Sequence, residues 1–428
     1  MTQTITAQET ALDRVGIPDS IKWGFLSVLV FMTGNGVESN FISPHLAAAV
    51  GSENMAATII TFYGLSVLVG SYLSGALADL WGPRKVMLLG FLVWMVFEAA
   101  FLLSIAMEST FLIGLSYFFR GFGYPLFAFA FLVWINTVVP KKRNGTAVGW
   151  FYVMFTGGMP TLGSAVALLA IPAFGGGYGG ETGAMIVSSA LVLAGFLIAW
   201  FGVKEPQGRA RLAPQNESTS AVIFGGLRVM VKEPRVAMGF AVRLINTAPQ
   251  FGMFVIMPFV MEDLGWTQSH WLLLTVIVFA SNVSFNAVFG HIGDRWGWRR
   301  TVQWFGVMGS ALGLLAWWYV PHWVPGGSEW GYWLTVLAGV TFGIMLAGFV
   351  PMGAIMPTLT PDHKGAAMAM YTTAAGGAAF LGAAVVALVR PWGGDVTVVW
   401  AFVALYGVAF FLMRFLDVEQ NYNETHTS

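Results

Sequence analysis

Twelve stretches of this chain are each long and apolar enough to cross a lipid bilayer: near 22–46, 54–78, 86–107, 110–139, 145–172, 184–203, 235–261, 269–293, 301–321, 331–357, 364–389 and 395–416. A spanning helix needs about 20 mostly apolar residues. Within the bilayer every backbone N–H and C=O has to be bonded inside the protein. A chain made of such runs satisfies its backbone as a helical bundle. Hydrophobic residues are 57% of the 428 and charged ones 10%, against roughly 45–50% and 25% in soluble domains. A water-soluble fold would expose far more apolar surface than soluble monomers tolerate. The expected fold is an all-α integral membrane protein with a multi-pass, lipid-embedded body.

One polar stretch occurs twice. Gly75-Ala-Leu-Ala-Asp79-Leu-Trp-Gly82-Pro-Arg84-Lys85 returns as Gly290-His-Ile-Gly-Asp294-Arg295-Trp-Gly297-Trp-Arg299-Arg300. Each copy lies between two apolar runs and reads as a tight turn joining two membrane helices. Two copies half a chain apart imply two homologous six-helix halves. The expected division is a tail over 1–21, a half over 22–203, a linker over 204–234, a second half over 235–416 and a tail over 417–428. All Lys and Arg except Arg120, Arg243 and Arg390 fall on the termini and on the alternate loops that include both turns. That asymmetry places both termini and the linker in the cytoplasm. The first twenty residues carry Glu9, Asp13, Arg14 and Asp19 and lack an apolar core, unlike a cleavable signal peptide. The linker carries a basic amphipathic pattern suited to a membrane surface. Asn144-Gly-Thr and Asn216-Glu-Ser match the glycosylation tripeptide by chance, on the cytoplasmic side.

The repeated pattern G-x-L-x-D-x-x-G-x-R-[KR] resembles the loop between helices 2 and 3 of the major facilitator superfamily, and its second copy resembles the echo between helices 8 and 9. The resemblance implies twelve transmembrane helices in two parallel halves, with a substrate near the midplane between them. Asp79, Arg84, Asp294 and Arg299 then read as cytoplasmic gate residues.

Charge within the bilayer costs roughly 2.5–3.5 kcal/mol per residue even on permissive insertion scales, so embedded ionisable groups are functional candidates. Glu38 lies about seven residues from the outer end of the first run and Arg120 about ten from the outer start of the fourth. At about 1.5 Å per residue both sit at similar depth and can meet. A carboxylate that trades an arginine for a proton suits proton coupling; a permanent structural ion pair is the plain alternative. Glu98 reads as a protonated acid bonded to a neighbouring helix, or as a proton relay. Arg243 either snorkels to the near surface or reaches the site.

The first helix is polar over Thr33-Gly-Asn35-Gly-Val-Glu38, as expected where a helix loosens beside a water-filled cavity. Asn246 and Gln250, and Asn282 and Asn286, stand one turn apart and share a helix face. Amides offer donors and acceptors together, which suits a neutral polyhydroxylated ligand; interhelical bonding is the alternative. Tyr63, Trp94, Tyr124, Trp150, Tyr152 and Tyr371 are placed to stack on a carbon chain. Gly175-Gly-Gly-Tyr-Gly-Gly180 reads as a flexible outer loop. Gly157-Gly-Met-Pro160 inverts the glycine-proline order of antiporters, which weighs against an exporter. There is no cysteine, the six histidines show no metal-ligand spacing, and no nucleophile, nucleotide or nucleic-acid motif is present. No metal, cofactor, enzyme activity or nucleic-acid partner is expected, and the energy source is a proton gradient. The chain is expected to work as a monomer.

Within the superfamily, several stretches are similar to the bacterial polyol permeases of the ribitol and D-arabitol type. They are Phe31-Met-Thr-Gly-Asn-Gly-Val-Glu38, Arg120-Gly-Phe-Gly-Tyr-Pro125, Arg243-Leu-Ile-Asn246-Thr with Val255-Ile-Met-Pro258, and Thr360-Pro-Asp-His-Lys364. The resemblance implicates Glu38 and Arg120 in coupling and Arg243 and Asn246 in the substrate site. It also implies an acid at position 35, where this chain has asparagine. The expectation is a secondary transporter importing a pentitol or hexitol by proton symport across the bacterial inner membrane. The alternative is an exporter or a permease for another small metabolite.

Overall fold

The computed structural model describes Leu12, residues 17–215 and residues 217–419; Glu9, Asp13, Arg14, Asn216 and most of the C-terminal tail lie outside these. Among the described residues nine helical segments are long and apolar enough to cross a membrane. The longest, Lys364–Leu412, is two helices joined where Gly393 and Gly394 leave helical geometry. Two further spans are interrupted, which brings the bundle to twelve. They are α1 (Lys22–Gly36 and Ile42–Val50), α2 (Glu53–Trp81), α3 (Pro83–Ala106), α4 (Thr110–Val138), α5 (Arg143–Ala173) and α6 (Gly177–Gly202) in the first half. In the second half they are α7 (Pro234–Asp263), α8 (Gln268–Trp296), α9 (298–323), α10 (Glu329–Thr358), α11 (364–392) and α12 (395–412).

The interruptions follow residue chemistry. α1 breaks over residues 37–41, immediately after Gly34-Asn35-Gly36. α5 widens into a π-helical turn at Gly157–Leu162, where Pro160 has no N–H to give the ladder. α9 does the same at Val302–Gly309. α10 opens between Gly348 and Pro351, whereas α4 opens at Gly121–Phe122, a turn before its proline. Breaks and bulges face one another: a Cβ on Gly36 would lie 2.0 Å from the Met159 carbonyl oxygen, and one on Gly348 2.7 Å from the Gly306 nitrogen.

The two repeated turns have matching geometry. Gly82 and Gly297 adopt φ of 87° and 106°, and their N–H groups bond the Ala78 and Gly293 carbonyls. The glycine-rich outer loop is shorter than its sequence suggests, because only Gly175 to Gly177 take positive φ and α6 already begins at Gly177. The linker is partly ordered as well. Leu212 and Ala213 both donate their N–H to the Asp79 carbonyl at 2.9 and 3.0 Å. A linker helix, Thr219–Lys232, lies between α2 and α11: the Tyr72 hydroxyl bonds the Ile223 carbonyl, and Gly226 abuts Met370. Phe224, Leu227 and Val231 on its other side are exposed, as a surface-lying amphipathic helix requires.

Candidate functional site

A cavity of about 1790 Å³ runs between the halves from the face bearing the repeated turns to the middle of the bundle. On the opposite face the halves are tied together. Ser43 Oγ donates to the Val255 carbonyl (2.8 Å) and Trp271 Nε1 to the Asn40 carbonyl (2.6 Å). Gln268 donates to Glu181, and Arg390 pairs with Glu53. The backbones of α2 and α11 touch there, so a Cβ on Gly64 would lie 2.5 Å from Phe380 Cα. One side is open and the other is shut.

The deep wall of the cavity gathers Trp150, Tyr152, Arg243, Asn246, Gln250, Asn282, Asn286 and Tyr371 from four helices. Arg243 does not snorkel to the surface. It turns inward, donates to Thr247 Oγ1 one turn deeper, and lies 5.0 and 5.4 Å from the ring centres of Tyr371 and Phe349. Aromatic faces attract a guanidinium and shield its stem. Its Nε is buried without a hydrogen-bond partner.

The amide pairs divide. Asn246 Nδ2 donates to the Gly306 carbonyl and Asn282 Nδ2 to the Gly343 carbonyl, each at 2.9 Å. Their donors therefore serve as interhelical bonds, Asn246 holding α7 to the widened turn of α9, while both residues line the cavity. Gln250 and Asn286 have no hydrogen bond among the described residues and keep donors and acceptors for a ligand. Tyr152 Oη is buried without a partner.

Asn35 and Tyr124 are not part of that wall. They line a separate chamber of about 50 Å³ with Glu38, Tyr63 and Tyr117, closed toward the second half by Phe251, Phe254 and Ala379. Asn35 is held at both ends, accepting from Trp94 Nε1 (2.9 Å) and donating to Met159 Sδ (3.7 Å). Beside this chamber Glu38 and Arg120 meet: Arg120 Nη1 donates to Glu38 Oε1, and the Tyr117 hydroxyl donates to the same oxygen at 2.9 Å. Glu98 joins them, its Oε2 lying 2.6 Å from Arg120 Nε. Neither of its oxygens accepts a hydrogen bond, so the bonded contact to a neighbouring helix expected for it is absent, and its contact across to α4 is the ion-pair approach to Arg120. Arg120 is fully buried and rests 4.5 Å from the Trp94 ring centre. Tyr117 had no separate signal in the sequence, although its i−3 position to Arg120 puts it on the same helix face.

The gate residues also divide. Asp79 and Asp294 line the cavity mouth. Arg84 instead caps the end of α6 through the Trp200 (2.7 Å) and Val203 (3.2 Å) carbonyls, and Arg299 pairs with Asp417 at 3.0 Å. Arg84 thus fastens a helix end, where orphan carbonyls attract cations, and Arg299 ties its turn to the carboxylate that follows α12. With this face open, neither bridges the halves. No cluster of potential metal ligands occurs among the described residues.

A sequence profile of the Major Facilitator Superfamily matches residues 24–383 and 240–427. This chain belongs to that superfamily. It is accordingly a multi-pass membrane transporter and not an enzyme. It is similar to the alpha-ketoglutarate permease of Bacillus subtilis strain 168, at 36% identity across 99% of this chain and 95% of that protein. It is also similar to the D-arabinitol transporter of Klebsiella pneumoniae, at 34% across 95% and 94%. The ribitol transporter of the same organism matches at 33% across 95% and 93%. Among solved structures, a D-xylose–proton symporter superposes with a TM-score of 0.67 at 14% identity over 95% of this chain and 97% of its own. A nucleoside transporter does so with 0.69 at 14% over 93% and 100%. These two share the superfamily fold.

Proposed function

We propose that this superfamily member imports a linear sugar alcohol, a pentitol or hexitol, by proton symport with alternating access. The carrying observation is the mixed set of groups left to a ligand in the deep wall. Arg243, Gln250 and Asn286 offer donors. The amide oxygen of Asn282, and that of Asn246 beyond its long contact from the Thr247 hydroxyl at 3.4 Å, offer acceptors, since their NH2 groups are engaged elsewhere. A hydroxyl donates and accepts at once and satisfies both kinds; a carboxylate oxygen only accepts. Tyr371 and Trp150 supply flat surfaces for the carbon chain. Similarity to the D-arabinitol and ribitol transporters supports the same class.

The distribution of basic residues supports a cytoplasmic position for the repeated turns and both termini, in the bacterial inner membrane. The conformation is then inward-facing, with the substrate site open to the cytoplasm. The buried cluster around Arg120 and Glu38 is the coupling site, driven by the proton gradient, and the working unit is the single chain.

One observation favours a second reading, a carboxylate-bearing metabolite. Arg243 has no acidic partner among the described residues, and an uncompensated guanidinium at mid-membrane attracts an anion. Similarity to an alpha-ketoglutarate permease points the same way. Thermal stabilisation of the purified protein by ribitol, D-arabitol, sorbitol and 2-oxoglutarate separates the two. The polyol reading expects a shift with one or more of the alcohols. It also expects Arg243→Gln to weaken that binding by roughly 10–100-fold, the worth of a hydrogen bond to a charged group. A shift with 2-oxoglutarate alone, lost in Arg243→Gln, establishes the second reading instead.

A further inference from the structure

Arg120 faces two carboxylates, not one. Glu38, Glu98 and Arg120 are each 2% exposed or less, far inside the spanning region. The other titratable groups facing this cluster are Tyr63 from α2, which interacts with both acids, and Tyr117 from α4, whose hydroxyl bonds Glu38. Neither supplies a second positive charge. With both acids ionised, the cluster holds a net negative charge out of contact with water, an arrangement the low-dielectric interior opposes. One proton restores neutrality.

The geometry distinguishes the two acids. Glu38 Oε1 receives an N–H from Arg120 and the O–H of Tyr117, and both bonds favour an ionised carboxylate. Glu98 lies close to Arg120 Nε, yet that N–H does not point at it, and neither Glu98 oxygen accepts a hydrogen bond. Glu38 lines the chamber between the halves, whereas Glu98 is not among its lining residues and lies against Arg120. Loading and unloading therefore touch the less committed acid and leave the Glu38–Arg120 pair in place.

We infer that Glu98 carries the coupling proton, while Glu38 stays ionised beneath Arg120 and Tyr117. This rests on the symport reading above and names its carboxyl. Release breaks the O–H bond of the Glu98 carboxylic acid. The proton passes to solvent water through the chamber when that is open to the cytoplasm, and the carboxylate left behind turns to the Arg120 Nε–H. Loading from the other side reverses the step.

The test is infrared spectroscopy of the protein in lipid nanodiscs, with the acids shortened one at a time to keep their charge. At neutral pH a carboxylic-acid carbonyl band is expected that shifts in Glu98→Asp and not in Glu38→Asp. A band that shifts only in Glu38→Asp, or no titratable band at all, overturns the inference without any substrate being added. In proteoliposomes with D-arabitol, ribitol or 2-oxoglutarate, Glu98→Gln is expected to keep counterflow exchange. It is expected to lose uphill accumulation and substrate-driven proton uptake. Wild-type accumulation and proton uptake in Glu98→Gln overturn the role of Glu98 and leave symport standing. Substrate uptake by the wild-type protein with no proton uptake overturns symport, and this inference with it.

Discussion

Gly64→Ala tests whether the shut face is held by backbone contact between α2 and α11. A Cβ at position 64 would lie 2.5 Å from the Phe380 Cα and nitrogen and 2.8 Å from the Ala379 carbonyl carbon. All three are main-chain atoms in the middle of a long helix, so they cannot swing aside as a side chain would. The helices must separate by about 1 Å, and overpacking of this kind costs roughly 1–3 kcal/mol. The contact joins the two halves across the closed side, so the penalty falls on the inward-facing conformation and spares one in which that side has parted. When the parted state is rare, its population rises about tenfold per 1.4 kcal/mol. The chain has no cysteine, so a thiol placed at Ser39 in the chamber is the only one. Labelling of Ser39→Cys by a membrane-impermeant maleimide from outside is expected to be faster in Gly64→Ala, by roughly five- to a hundredfold. A thiol at Ala369 in the cavity is expected to label more slowly from the cytoplasmic side. Unchanged labelling at both positions, in a protein of normal thermal stability, would refute the argument that this contact sets the balance.

Two further outcomes follow from local geometry. Tyr117→Phe removes one donor from the buried Glu38 carboxylate and is expected to cost about 1–3 kcal/mol of stability, read by thermal unfolding; a change near zero would mean that Glu38 does not depend on that hydroxyl. Gly297→Ala forces a side chain to φ of 106° and is expected to cost about 1–3 kcal/mol, with the equivalent loss at Gly82, whereas Gly290→Ala, with nothing within 4 Å of the added carbon, is expected to be silent; equal losses at 290 and 297 would remove the conformational explanation.

The membrane class, the twelve spans and the duplicated turns were legible because each rests on short-range rules: apolar length, glycine conformation and the repeat itself. The meeting of Glu38 and Arg120 was also legible, since rise per residue places both at one depth. The bonds by which the other polar side chains reach neighbouring helices were not. Nothing in the spacing of Asn246 or Asn282 says that their NH2 groups are taken by the carbonyls of Gly306 in the widened turn of α9 and of Gly343 on α10, because those acceptors are brought near only by packing of distant sequence. Arg84 reads as a gate from its motif, and only packing brings the end of α6 within its reach. Asn35 and Tyr124 fall into a separate chamber, because Phe251, Phe254 and Ala379 of the second half pack across it, a contact that spacing does not reveal.

The segment between the halves behaves as masonry more than as rope. It is pinned to the carbonyl of Asp79 by two hydrogen bonds, and its helix fills the gap between α2 and α11 at the rim of the cavity, with Val222, Gly226 and Val229 on the inner surface. The vestibule is consequently fenced along that flank by a helix belonging to neither half. Trimming this segment would redraw the exit route as well as shorten the connection.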